Sequence, residues 1–129
     1  MIKLNHLFSV VCLLLMTTIY GQERKLYIDN FANILGSYTL EQELFEFVET
    51  NEIDELILYD LHKVHKRFPL GDASKNQLLA DFICKAKKDF GVKSVSASGK
   101  TGDFFIKAIH PYNQSRENKL ERFDVYNID

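Results

Sequence analysis

The 129-residue sequence predicts an α/β fold of parallel strands alternating with helices. Two architectures suit it: an open doubly wound sheet, or a partial (β/α)8 TIM barrel holding about its first four strands. Three observations carry the prediction. Short apolar runs alternate with segments of helical periodicity in the order β-α-β-α-β-α-β. Strand starts recur at roughly 30 to 40 residues, the length of a βα unit. The second run, Ile53 to Leu61 (IDELILYDL), is apolar on both faces from Leu56 to Tyr59, as expected of a strand inside a parallel sheet rather than at its edge. Strands separated by helices run parallel with right-handed crossovers.

Elements follow in order after a leader. Met1 to His6 holds one lysine, Leu7 to Ile19 (LFSVVCLLLMTTI) is almost unbrokenly apolar, and Gly21 precedes a charged stretch. This is the pattern of a secretory signal peptide over residues 1–21, and it places the mature protein outside the cytoplasm, secreted or periplasmic. The apolar run is shorter than the roughly 20 residues of a membrane span, so no stable membrane insertion is expected once the leader is removed. Cys12 lies too early in the run, and behind Val11, to mark a lipoprotein. Residues 22–129 remain as one domain, about half of the roughly 250 residues a full barrel uses.

The first strand is KLYIDNF (Lys25 to Phe31). A helix follows in TLEQELFEFVETN, with Thr39 capping and Gln42 three residues on, and Leu40, Leu44, Phe47 and Val48 at helical spacing. After strand two, a loop holds His62, His65, Pro69 and Gly71. Ser74 and Gln77 repeat the capping spacing ahead of a second helix with the stripe Leu78, Leu79, Phe82, Ile83, Ala86 and Phe90, ending at Gly91. Lys85, Lys87 and Lys88 sit in its last turns and complement the helix dipole. VKSVSAS (Val92 to Ser98) is strand three, GDFFIKAIH a short helix broken at Pro111 with His110 in a loop, and FDVYNI (Phe123 to Ile128) strand four.

Composition excludes several function classes. Net charge is −2 and becomes one unit more negative when Lys3 leaves with the leader, so no basic field invites nucleic acid. Cys84 is the one cysteine outside the leader; the fold is held by packing rather than a disulfide, and with no base partner Cys84 reads as a small, partly buried residue. His62 and His65 have the spacing of one helical turn but no further ligand to complete a metal site. SGKTGD (Ser98 to Asp103) lacks the preceding glycine of a phosphate loop. No metal or cofactor is expected.

In parallel α/β folds, chemistry sits at the carboxyl ends of the strands. Those ends carry Asp29 and Asn30, Tyr59 and Asp60, Ser96, Ser98 and Gly99, and Asn127 and Asp129. Each alone is also an ordinary turn residue; four such ends together make a candidate site. On the last strand, alternation puts Val125, Asn127 and Asp129 on one face and Asp124, Tyr126 and Ile128 on the other.

Two of these stretches resemble glycoside hydrolase family 18, the chitinases and endo-β-N-acetylglucosaminidases, whose third strand ends in SxGG and whose fourth carries DxxDxDxE. GVKSVSASG is similar to the first, with Ser96, Ser98 and Gly99 at the Ser, Gly and Gly positions; FDVYNID is similar to the second, with Asp124, Asn127 and Asp129 at the three Asp positions. Ser98 thus replaces a glycine and Asn127 an acid. The resemblance implies a carbohydrate partner containing N-acetylglucosamine and substrate-assisted hydrolysis, an exception to the two-carboxylate scheme. It implies catalytic positions at Asp124, Asn127 and Asp129, with Asp129 orienting the 2-acetamido group, and substrate contacts from Asp29, Tyr59, Asp60, Ser96 and Ser98. The family's general acid is a Glu two residues beyond the last Asp, past Asp129, which ends this sequence. The expectation is therefore a secreted hydrolase fragment, inactive alone, with the remainder of its barrel missing from this chain. The other reading is a small exported α/β domain that binds a ligand or partner at its strand ends without catalysis.

Overall fold

The computed structural model describes residues 21–129; residues 1–20, which hold almost all of the expected leader, lie outside the described residues. The described residues form four strands, β1 (Lys25–Ile28), β2 (Glu55–Leu58), β3 (Ser94–Gly99) and β4 (Val125–Ile128). They make one all-parallel sheet in the order β1-β2-β3-β4. Sequential order means that every crossover steps to the next strand in the same direction; the described sheet has no reversal of the kind that divides a doubly wound fold.

The helices lie on one face of this sheet. They are α1 (Phe31–Ile34), α2 (Tyr38–Thr50), α3 (Leu61–Arg67), α4 (Gln77–Phe90) and α5 (102–115). Leu56, Leu58, Val95 and Ala97 join Phe31, Phe45, Val48, Phe82, Ile83 and Ile109 in the core. Phe45 stacks on Phe90 at 4.5 Å and packs against Phe82 at 5.1 Å, and Phe31 meets Phe82 edge-on at 4.8 Å, an aromatic cluster that ties α1, α2 and α4 together. β2 is buried along its whole length, as its double-sided apolar pattern predicts.

Several local expectations are corrected. Ser37, not Thr39, caps α2, its hydroxyl accepting from Leu40 N while Glu41 Oε1 accepts from Gly36 N at 2.7 Å. Of the expected stripe on α2, Val48 is buried, whereas Leu40 and Phe47 are exposed and Phe45 takes the inner position. Ser74 caps no helix: Asp72 Oδ1 captures both its N–H and its hydroxyl, and α4 begins after Asn76. Gly91 does end α4 in the left-handed region, at φ 69°. His62 and His65 are helical rather than in a loop, and His65 Nδ1 accepts from Leu70 N at 3.1 Å.

Pro111 does not break the helix expected after β3, which is α5. Residues 105–109 form a π turn, and the chain continues as α-helix over His110–Ser115, which takes in His110 and Pro111. The wider turn accommodates a ring that would clash with the carbonyl four residues earlier in a regular helix. Beyond α5, Asn113 holds the approach to β4: its Oδ1 accepts from Phe123 N and its Nδ2 donates to Phe123 O, both at 2.9 Å. Arg116 reaches Glu121, Asn76 and Gln77 at 2.9, 2.9 and 3.0 Å, closing this segment onto the start of α4.

Candidate functional site

Among the described residues, no helix lies on the other face of the sheet. Alternation and register put Tyr27, Ile57, Ser96, Ser98, Val125 and Asn127 there, with Ser96 paired to Val125 and Ser98 to Asn127. Its centre, at Ile57, Ser96 and Ser98, is buried, while Tyr27 and Val125 on the outer strands are exposed. Two polar assemblies occupy opposite ends of this face.

At the amino ends, Glu55 accepts from the Ser96 hydroxyl at 2.5 Å and pairs with Lys25 at 2.9 Å. Burial alone pushes the Glu55 carboxyl up; the Ser96 hydroxyl and the Lys25 ammonium outweigh it, so the group is held below the usual glutamate range. Beside it Asp54 is lowered by the Arg24 backbone N–H and by Lys93. The pairs are satisfied internally and aim at nothing beyond themselves. Ser96, an expected substrate contact, belongs to this closed network.

At the carboxyl ends of β2, β3 and β4 the chain forms a cleft of about 400 Å³. Tyr59, Asp60, Ser98 and Asp129 line it, together with His62, Gly99, Lys100, Thr101 and Phe104. Topology supplies the convergence: residues just past adjacent parallel strands emerge side by side. Asp129 is fixed by its N–H, which donates to Gly99 O at 3.1 Å and extends the β3–β4 ladder by one step. Asp60 turns the chain from β2 into α3 in the left-handed region, φ 60°, a conformation Asp tolerates better than most residues, and its carboxylate pairs with Lys63 at 2.8 Å. Thr101 caps α5, accepting from Phe104 N. A Cβ at Gly99 would stand 3.1 Å from the rings of both Phe104 and Phe105, so the absent side chain leaves room for both rings, and Phe104 lines the cleft.

The cleft thus offers two carboxylates, one imidazole, one ammonium, three hydroxyls and two aromatic rings. Such a mixture suits a ligand with apolar C–H faces and many hydroxyl or amide groups. Among the described residues no group of three His, Cys, Asp or Glu is placed to hold a metal ion, and no helix is long and apolar enough to cross a membrane.

Not all of the expected residues meet. Asn127 lies on the same face as Ser98, in register with it and below Asp129. Asp29 lines a separate groove at the outer edge of β1 with Leu26, Ile34, Leu44 and Phe47. Asp124 lies before β4, on the helix side: its Oδ2 accepts from Val95 N at 2.8 Å and pairs with Lys87 at 2.8 Å. Lys87 is therefore a buried partner of that carboxylate, with a side chain only 7% exposed, rather than a solvated helix-end charge. His62, Lys100, Thr101 and Phe104 join the cleft although their sequence context does not single them out for it; all four fall within five residues of a strand end.

Comparison with protein-family models, curated proteins and solved structures finds no match.

Proposed function

We propose that residues 22–129 are the amino-terminal half of a secreted or periplasmic (β/α)8 barrel similar to family 18 glycoside hydrolases, and that the cleft binds a glycan containing N-acetylglucosamine. The observation that carries this reading is the convergence of Tyr59, Asp60, Ser98 and Asp129 on one cleft at the carboxyl ends of a sequentially ordered parallel sheet. Both outer strands support the barrel. Tyr27 on β1 and Val125 and Ile128 on β4 expose apolar side chains, and the groove beside β1 is walled by Leu26, Ile34, Leu44 and Phe47. Further βα units would cover such surfaces.

In this reading Tyr59 and Phe104 face the sugar's C–H surfaces, and Asp129 holds the 2-acetamido N–H so that its carbonyl oxygen is turned toward the anomeric carbon. The proton for the departing glycosidic oxygen comes, in the family, from a Glu two residues beyond the last motif Asp. The residues present bind and orient. Asp124, Asn127 and Asp29 act otherwise: Asp124 secures the start of β4, Asn127 supports the cleft floor, and Asp29 stands away from the sugar.

Calorimetric titration with the N-acetylglucosamine tetrasaccharide tests the reading. The chain should bind it, and Asp129→Asn should weaken binding about tenfold or more. Absence of binding, or equal binding by Asp129→Asn, overturns the glycan site. Binding without hydrolysis even when the remaining barrel strands are supplied favours a domain that binds and does not catalyse.

A further inference from the structure

Ser96 and Ser98 stand two residues apart on the same face of β3, both buried. Their hydroxyls differ. Ser96 Oγ donates to Glu55, whereas Ser98 Oγ, in a residue only 3% exposed, has no hydrogen-bond partner. A buried hydroxyl with one donor and two lone pairs unused destabilises the fold relative to an apolar group of the same size. Alanine would keep the Cβ packing without that cost, and the resemblance places a glycine at this position.

Position explains what the hydroxyl can reach. Ser98 pairs in register with Asn127 and precedes Gly99, one step below the level at which Asp129 joins the ladder. It lines the cleft between Tyr59 on one side and Asp129 on the other. Rotation about a single χ1 bond moves its oxygen among three staggered positions, so the group sits at the floor of the cleft with no internal bond to break. The neighbouring hydroxyls are already engaged, Thr101 in capping α5 and Ser96 in holding Glu55.

We propose, resting on the reading of the cleft as a glycan site, that Ser98 is its specificity-determining residue. Its hydroxyl is left unpaired in the free protein and is satisfied by an oxygen of the sugar that reaches the cleft floor. That oxygen belongs either to a ring hydroxyl or to the acetamido carbonyl. In both cases a ligand with an apolar group at this depth leaves the hydroxyl buried and unpaired and is rejected.

The test pairs stability with affinity. Ser98→Ala and, as a second variant without the hydroxyl, Ser98→Gly are compared with the natural chain by thermal unfolding and by titration with the N-acetylglucosamine tetrasaccharide and the β-1,4-linked glucose tetrasaccharide. Ser98→Ala should melt at the same or a higher temperature while binding at least about fivefold more weakly. Loss for both sugars assigns the contact to a ring hydroxyl, and loss for the acetamido sugar alone assigns it to the acetamido carbonyl. A lowered melting temperature with unchanged affinity overturns the proposal, because the hydroxyl is then satisfied within the fold. If the natural chain binds neither sugar, the glycan reading itself fails and this inference falls with it; if it binds and Ser98→Ala binds equally, only the role of Ser98 fails.

Discussion

Replacing Asp124 by alanine separates a residue that holds the fold from one that touches a ligand. Its Oδ2 accepts from Val95 N at 2.8 Å and pairs with Lys87 Nζ at 2.8 Å. Val95 is fully buried, so its N–H would be left without an acceptor, at about 1–3 kcal/mol. The ion pair adds less. The Asp124 carboxylate is 38% exposed, which limits the pair to about 1 kcal/mol or below, and Lys87 keeps Arg122 O as an acceptor at 2.7 Å. The sum is about 1–4 kcal/mol, or a fall in melting temperature of roughly 5–20 °C for a domain of this size. Asp124→Asn, whose amide oxygen still accepts from Val95, should lose about 1 kcal/mol. Urea unfolding followed by circular dichroism measures both, and titration with the tetrasaccharide should show unchanged affinity at a temperature where the variant is folded. A loss under about 0.5 kcal/mol, within the range of ordinary surface changes, refutes the anchoring role. Lost binding at unchanged stability would refute it from the other side and return Asp124 to the site.

Two further outcomes follow from the same contacts. Glu55 and Asp54 are held below the ordinary carboxylate range, so the unfolded chain takes up protons first as pH falls; the stability they contribute is present above about pH 4 and is lost as pH drops through their lowered folded values. Urea midpoints from pH 7 to 3 should show that decline and Glu55→Gln should flatten it, whereas a parallel decline in the variant contradicts the assignment. Gly99→Ala should destabilise by about 1–3 kcal/mol, because its Cβ meets two rings at 3.1 Å; an unchanged melting curve would mean that Phe104 and Phe105 do not pack as described.

The strands are legible in the sequence because their signal does not depend on context. A run that is apolar on both sides, such as Leu56 to Leu58, has no good place except between two covered faces. Helix ends are less legible, because Ser37 and Thr39 offer the same hydroxyl and only the path of the chain from Gly36 decides which one caps. Periodicity gives α2 an apolar stripe but not its rotation, since Phe45 and Phe47 both fall near it; the sheet takes Phe45 and leaves Phe47 on the groove beside β1. Proline as a terminator is a rule for regular helices, and the π turn before Pro111 removes the clash on which that rule rests.

The site is legible wherever topology alone decides it. Tyr59, Asp60, Ser98 and Asp129 stand at or just past the carboxyl ends of adjacent strands and meet for that reason. Asp29 follows a strand at the sheet's outer edge, and the cleft centres on the other three. Asp124 shares a sequence motif with Asp129, but it precedes the strand and lies on its helix side, so a motif spacing that spans a whole strand joins two ends with separate work. His62 suggests half of a metal pair and Lys100 part of a phosphate loop, chemistries for which the partners are lacking; their place beside strand ends is the more informative signal.

The most direct test of the central claim is a backbone amide NMR titration of the chain with the N-acetylglucosamine tetrasaccharide. The account predicts concentration-dependent shifts confined to Tyr59 to His62, Ser98 to Phe104 and Asp129, with the Lys25–Glu55–Ser96 end and the Asp124–Lys87 contact unmoved. Shifts centred on the groove of Asp29 and Phe47, or no shifts at all, would contradict it.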